Sequence, residues 1–122
     1  MTQAAHARLT KEVMLRFGSR PDVRLFGNET AGAWTGKMIE RSGQVVVLDR
    51  ASFVQFGLAK GSADIVGIGP AGRFLSFELK TGRGRMTDEQ RAWLAMVRRF
   101  GGISAEVRHV DDVERALAEV GG

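Results

Sequence analysis

The sequence predicts an α/β domain in which helices flank a mixed β-sheet. Two observations lead there. Residues 73–80 send alternate side chains to opposite faces, and residues 64–68 sort sensibly against them across a Gly69-Pro70-Ala71-Gly72 turn. Residues 4–17 and 87–100 instead carry apolar residues at helical spacing. Helices and strands therefore follow one another along a short chain, in the order of a layered α/β domain.

The elements follow in chain order. Ala4 to Phe17 is a helix with Ala5, Leu9, Val13 and Phe17 as its apolar stripe, and Gly18-Ser19-Arg20-Pro21-Asp22 ends it. Val23 to Phe26 reads as a short strand. Trp34 to Glu40 and Gln44 to Leu48 read as a hairpin around Arg41-Ser42-Gly43, and residues 50–61 read mostly as loop. Asp64 to Ile68 and Arg73 to Lys80 are the clearest strands. Thr87 to Phe100 is a helix with Met86, Trp93, Val97 and Phe100 on one side. Thr87 and Gln90 have capping-box spacing at its start, and Gly101-Gly102 stops it. Ile103 to Arg108 is a strand. Asp111 and Glu114 repeat the capping pattern before a last helix that runs through Val120.

Composition narrows the chemistry. A length of 122 residues suits one domain. The chain has no cysteine, so disulfides and thiolate zinc sites are excluded. Only His6 and His109 are available for a histidine-built zinc site or a catalytic triad, and both read as surface residues. No apolar run reaches the length of a membrane span, and residues 1–10 lack a signal-peptide pattern. A reducing, cytoplasmic compartment is the expectation. The formal net charge is +4 and the pI about 10.3. Of 18 basic residues only Lys11, Lys37, Lys60 and Lys80 are lysine, so arginine dominates. Its planar fork suits phosphate, which makes nucleic acid a reasonable partner. Trp34 and Trp93 read as core residues rather than base-stacking platforms.

The chemistry concentrates between Lys60 and Gln90. If Ile68 pairs with Phe74, Val66 opposes Ser76, Ile65 faces Phe77, and Asp64 opposes Glu78. Facing side chains in such a pair have Cβ atoms roughly 5 Å apart, so two carboxylates stand side by side. Like charges there destabilise a sheet unless a cation lies between them, and Mg²⁺ accepts one or two protein carboxylates. Lys80 follows on the same face as Glu78. Its ammonium is placed to orient or help deprotonate an attacking water, or to stabilise charge on phosphate. Taken without Asp64, Glu78 and Lys80 read as an ordinary ion pair on a half-exposed strand, and the facing Asp64 reverses that reading. Arg83 and Arg85 lie in a glycine-rich loop that can follow a phosphate backbone. Lys60, Arg50 and Arg73 extend that basic surface, and Thr81 adds a hydroxyl that suits phosphate, water or simply the turn.

Asp64 followed by Glu78-Leu79-Lys80 resembles the signature of the PD-(D/E)XK nucleases. The fuller stretches Lys60-Gly61-Ser62-Ala63-Asp64-Ile65 and Gly72-Arg73-Phe74-Leu75-Ser76-Phe77-Glu78-Leu79-Lys80-Thr81 are similar to the VRR-NUC branch. So is the continuation from Gly82 to Gln90, with Gly101-Gly102 and Val107-Arg108 beyond it. The likeness runs from about Lys60 to Leu117. One departure is plain, because Ala63 stands where the name-giving proline would be.

The resemblance implies an αβββαβ core and a nuclease that depends on Mg²⁺ or Mn²⁺. It makes Asp64 and Glu78 metal ligands, with the Leu79 carbonyl contributing, and Lys80 the catalytic lysine. Glu12 is the candidate for the glutamate that family members add from the first helix. Gln90 occupies a second family position, unless it serves only as the capping partner of Thr87. Stand-alone members, often carried by bacteriophages, resemble resolvases of branched DNA such as Holliday junctions. Coordinated cutting of two strands needs two sites, so a homodimer is expected, with residues 34–48 as its candidate surface unless the Val45 to Leu48 run is a central strand. The rivals are a nicking, single-strand or restriction-type nuclease, and a nuclease-like DNA-binding module without activity.

Overall fold

The computed structural model describes residues 3–121. They form two compact units: residues 29–58, and the remainder of the chain.

The larger unit carries the four-stranded sheet. Helix α1 (Gln3–Phe17) leads into β1 (Arg24–Gly27). Strands β4 (Ile65–Ile68) and β5 (Phe74–Leu79) follow, joined by a single 3-10 turn at Pro70–Gly72. Helix α2 (Asp88–Arg99), β6 (Ile103–Val107) and helix α3 (Val110–Gly121) complete it. The strand order is β1-β4-β5-β6. The first two pairings are antiparallel and β5 runs parallel to β6, so the sheet is mixed. The β5–α2–β6 crossover supplies the parallel pair. The register of β4 on β5 is Ile65 to Phe77, Val66 to Ser76 and Ile68 to Phe74, as the sorting of apolar side chains predicts.

One face of this sheet packs on α1 and α3. Leu9, Val13 and Phe17 meet Leu25, Ile65, Leu75, Phe77, Leu79, Ile103 and Val107, with Val113 and Leu117 closing the other side. The opposite face is covered by α2. There Trp93 is half-buried and its indole N–H donates to Ser76 Oγ at 2.7 Å, while Ser104 Oγ donates to the Leu94 carbonyl at 2.7 Å. Both serines are buried polar groups whose hydrogen bonds are made, so the α2 face tolerates them.

Two helix starts are built differently. Thr87 and Gln90 form the complete capping box at α2. At α3 the frame is shifted from the expected Asp111–Glu114 pair. His109 Nδ1 accepts the Asp111 N–H, while the Asp112 carboxylate accepts the N–H groups of Arg108 and His109. Asp111 and Glu114 instead reach Arg16 of α1.

The smaller unit is a hairpin of β2 (Ala31–Ser42) and β3 (Val45–Phe56). Its turn falls at Gly43-Gln44, where Gly43 has φ 59°, a conformation that suits glycine. The strand expected to end at Leu48 runs on to Phe56, so residues 50–56 are strand and not loop. The reason is visible in the burial. Neither side of this hairpin is covered, so no apolar–polar alternation marks it. Trp34 is likewise 64% exposed, against the expectation of a core residue, and meets Phe53 edge-on at 5.2 Å between ring centres.

Phe77 is fully buried at the centre of the main core. Phe77→Ala should cost about 3–5 kcal/mol in urea unfolding, whereas Trp34→Ala should cost under about 1 kcal/mol.

Candidate active site

The site forms where β4 begins and β5 ends. Asp64 precedes the first paired residue of β4, and Glu78 follows Phe77 on β5. Asp64 is fixed by its neighbours. Its Oδ2 accepts the Leu79 N–H at 2.9 Å, and its own carbonyl accepts the Asn28 N–H at 2.8 Å. Asn28 also donates through Nδ2 to Ser62 Oγ at 2.9 Å and to the Ala63 carbonyl at 2.8 Å. The segment before Asp64 is thus held to the end of β1. Ala63 is fully buried beside Met86 and Leu94. Packing and these hydrogen bonds fix the backbone where a proline ring does so in the family pattern. Gly61 matters to the same segment. It has φ +84°, and a Cβ there would lie 2.9 Å from the Glu89 backbone carbon. Only glycine lets the loop approach α2 so closely.

Glu78 is 3% exposed, and its Oε2 has no hydrogen-bond partner. Burial pushes its carboxyl up to about 8, and the adjoining Asp64 carboxyl adds to the rise through a hydrogen bond and its charge. Lys80 opposes the rise but does not cancel it. A buried carboxyl of this kind is costly as an unpaired anion and is well suited to a cation. The donors fit Mg²⁺ or Mn²⁺: hard carboxylate oxygens on adjoining strand ends, with one oxygen buried and unsatisfied. Among the described residues, no three His, Cys, Asp or Glu side chains are already gathered as a cage. The site is a carboxylate pair with Lys80 next on the same strand.

The other expected residues divide clearly. Lys80 is half-buried and its N–H donates to the Val107 carbonyl at 2.9 Å, which carries β5 past its last paired residue. Glu12 is exposed on α1, one residue before buried Val13. The α1 side chain that does reach Asp64 is His6, with Nε2 3.3 Å from Oδ2. Composition alone placed His6 on the surface. Only its position one turn before Leu9 on the buried stripe signals otherwise. Gln90 Oε1 accepts the Thr87 N–H at 2.9 Å, so its side chain is engaged in the cap. Lys60 is 90% exposed and pairs with Glu89 at 3.3 Å. Arg83 and Arg85 are exposed on the loop after Lys80, while Thr81 and Arg73 are half-buried. That loop has an anchor in Arg108, which the sequence marks only as part of the family-like Val107-Arg108 pair. The Arg108 guanidinium donates to the carbonyls of both Gly82 and Gly84.

The raised Glu78 carboxyl has a stability consequence. In the unfolded chain it ionises near 4.5, and in the folded, metal-free chain near 8. Its favourable contribution to folding is complete below the first value and is lost as pH rises through the second. In EDTA the melting temperature should therefore fall between pH 6 and 8.5 by several degrees more than in Glu78→Gln. Adding Mn²⁺ at pH 8 should recover the loss. Equal pH profiles for the two proteins would contradict this assignment.

No helix in the described residues is long and apolar enough to cross a membrane. No curated protein matches the chain. The model of the VRR-NUC domain matches residues 2–112, which covers the sheet, both carboxylates, Lys80 and most of the helices. The chain belongs to the VRR-NUC family, whose fold is that of a nuclease of the PD-(D/E)XK type.

Proposed function

We propose that this chain is a divalent-metal-dependent endodeoxyribonuclease that cuts branched DNA as a homodimer. The observation that carries the reading is the pairing of Asp64 with Glu78, whose buried Oε2 lacks a partner, with Lys80 next in line on the same strand. Asp64, Glu78 and the Leu79 carbonyl would hold Mg²⁺ or Mn²⁺. When bound, such an ion supplies Lewis-acid polarisation of phosphate and a more acidic water. The chain's own groups do the rest. The Leu79 N–H and Asn28 keep Asp64 in place. Lys80 presents an ammonium beside the carboxylates, where it orients water and offsets charge that develops on phosphate. Attack with the 3′ oxygen as leaving group gives 5′-phosphate and 3′-hydroxyl ends.

Arg83 and Arg85 are on the loop that continues from β5, Thr81 opens that loop, and Lys60 and Arg73 precede β4 and β5. These side chains suit phosphate contacts, which position a duplex without reading its bases. Selectivity for branched over linear DNA rests on the family likeness and on two sites acting together. The hairpin supports the dimer. Val45, Val46, Val47, Ile39 and Met38 are all exposed on it, an apolar surface of the kind that subunit contacts cover.

Four-way junction, flap, duplex and single-strand substrates, each with Mg²⁺, Mn²⁺ or EDTA, test the activity. The junction should be cut with either ion and not in EDTA, and Lys80→Ala should lower kcat by about 10²-fold or more. Equal cutting of every substrate would remove the selectivity and keep the nuclease. Binding without cutting under all conditions would make the chain an inactive binding module. Light scattering at micromolar concentration should give a dimer, and Val46→Asp should shift it to monomer. A monomeric wild type would sink the two-strand scheme.

A further inference from the structure

We infer that His6 is the helix-borne ligand of the cation held by Asp64 and Glu78, in the role expected of Glu12. This rests on the metal-site reading above and adds a donor of different chemistry to it.

Three observations lead to His6. Its Nε2 lies 3.3 Å from Asp64 Oδ2. In the metal-free chain this contact is a hydrogen bond between the ring and the carboxylate, and its spacing is close to that of two neighbouring ligands of one ion, which at bond lengths of about 2.1 Å and right angles stand about 3 Å apart. Asp64 is also the shared member of two contacts, with His6 on one side and Glu78 on the other. Among the described residues the three are not already gathered as a cage, so binding an ion would have to draw His6 and Glu78 toward it from either side of Asp64. Finally, α1 holds His6 at this end of the sheet. Leu9 and Val13, three and seven residues on, are buried in the main core, and Thr10 Oγ1 donates to the His6 carbonyl at 2.9 Å.

Glu12 cannot share the place. Six residues of α-helix carry it about 9 Å further along the axis and about 120° round from His6. It is exposed there. One helix with one buried stripe therefore offers the site an imidazole and not a carboxylate.

The donor type has a consequence for metal choice. Mg²⁺ takes oxygen ligands and resists nitrogen, whereas imidazole suits first-row transition ions such as Mn²⁺. The chain should bind Mn²⁺ in clear preference to Mg²⁺. His6→Glu should narrow that preference by restoring an oxygen donor.

Pulsed electron paramagnetic resonance of bound Mn²⁺ tests the ligand directly, since only His6 and His109 carry imidazole. The wild-type spectrum should show nitrogen modulation from a coordinated imidazole. His109→Ala should keep the modulation, and His6→Ala should lose it while weakening Mn²⁺ binding at least about tenfold. His6→Glu should recover most of the affinity without the nitrogen signal, which separates a lost ligand from a lost fold. Mn²⁺ bound without nitrogen modulation in the wild type, or bound equally by His6→Ala, overturns the assignment. Mn²⁺ binding that Glu78→Gln leaves unchanged overturns the metal site itself, and this inference with it. Nitrogen-coupled Mn²⁺ in a protein that cuts no DNA keeps His6 as ligand and overturns only the nuclease activity.

Discussion

The hydrogen bond from the Leu79 amide to Asp64 joins the two strands that matter most. It is a backbone donor at the end of β5 satisfied by a side chain at the start of β4. The ladder between these strands stops at Ile65 and Phe77, and this bond extends the tie beyond it. Everything chemical follows from the tie. It brings a second carboxyl against Glu78, on a strand whose apolar neighbours keep water away. Two such groups cannot both ionise cheaply in that setting. The fold therefore maintains a site that is electrostatically incomplete by itself, and the remaining contacts, from Asn28 through Gly61, keep it from relaxing.

The main core and the carboxylate pair were legible from residues alone because one constraint governs both. Leu75, Phe77 and Leu79 alternate strictly with Ser76, Glu78 and Lys80, and a slip of one residue would exchange the two faces. Once Ile65 is set against Phe77, the position of Asp64 near Glu78 follows. The helix stripes were legible for the same reason, since each has a single buried side. Where no side is buried, this logic has nothing to act on. The far half of β3 carries Phe53, Val54 and Phe56 in a run without alternation, so residues 50–56 look like loop although they are strand. Trp34 misled because a large apolar side chain predicts burial only if some surface arrives to cover it.

His6 and Arg108 show a different limit. Residue type assigns neither of them its contact, and each acts through the place it occupies in the fold. Histidine six residues into the chain reads as a surface residue until the pitch of α1 is fixed against the sheet. Arg108 stands in a family-like pair with Val107, but nothing in that pair says its guanidinium lies on the backbone of another loop. Residue type narrows what a side chain can do, and long-range packing decides which of those things it does.

The use of Arg108 bears on how a substrate would be held. A glycine-rich loop is ordinarily expensive to order, because glycine surrenders more conformational freedom than any other residue. Here two loop carbonyls are already bonded to a guanidinium on the neighbouring strand end, and the Gly84 N–H donates to the Thr81 carbonyl. Much of the entropy loss is therefore met on folding and not on association. Arg83 and Arg85 are displayed from a frame that is set in advance. The loop keeps the close backbone approach that glycine permits without the floppiness that usually accompanies it.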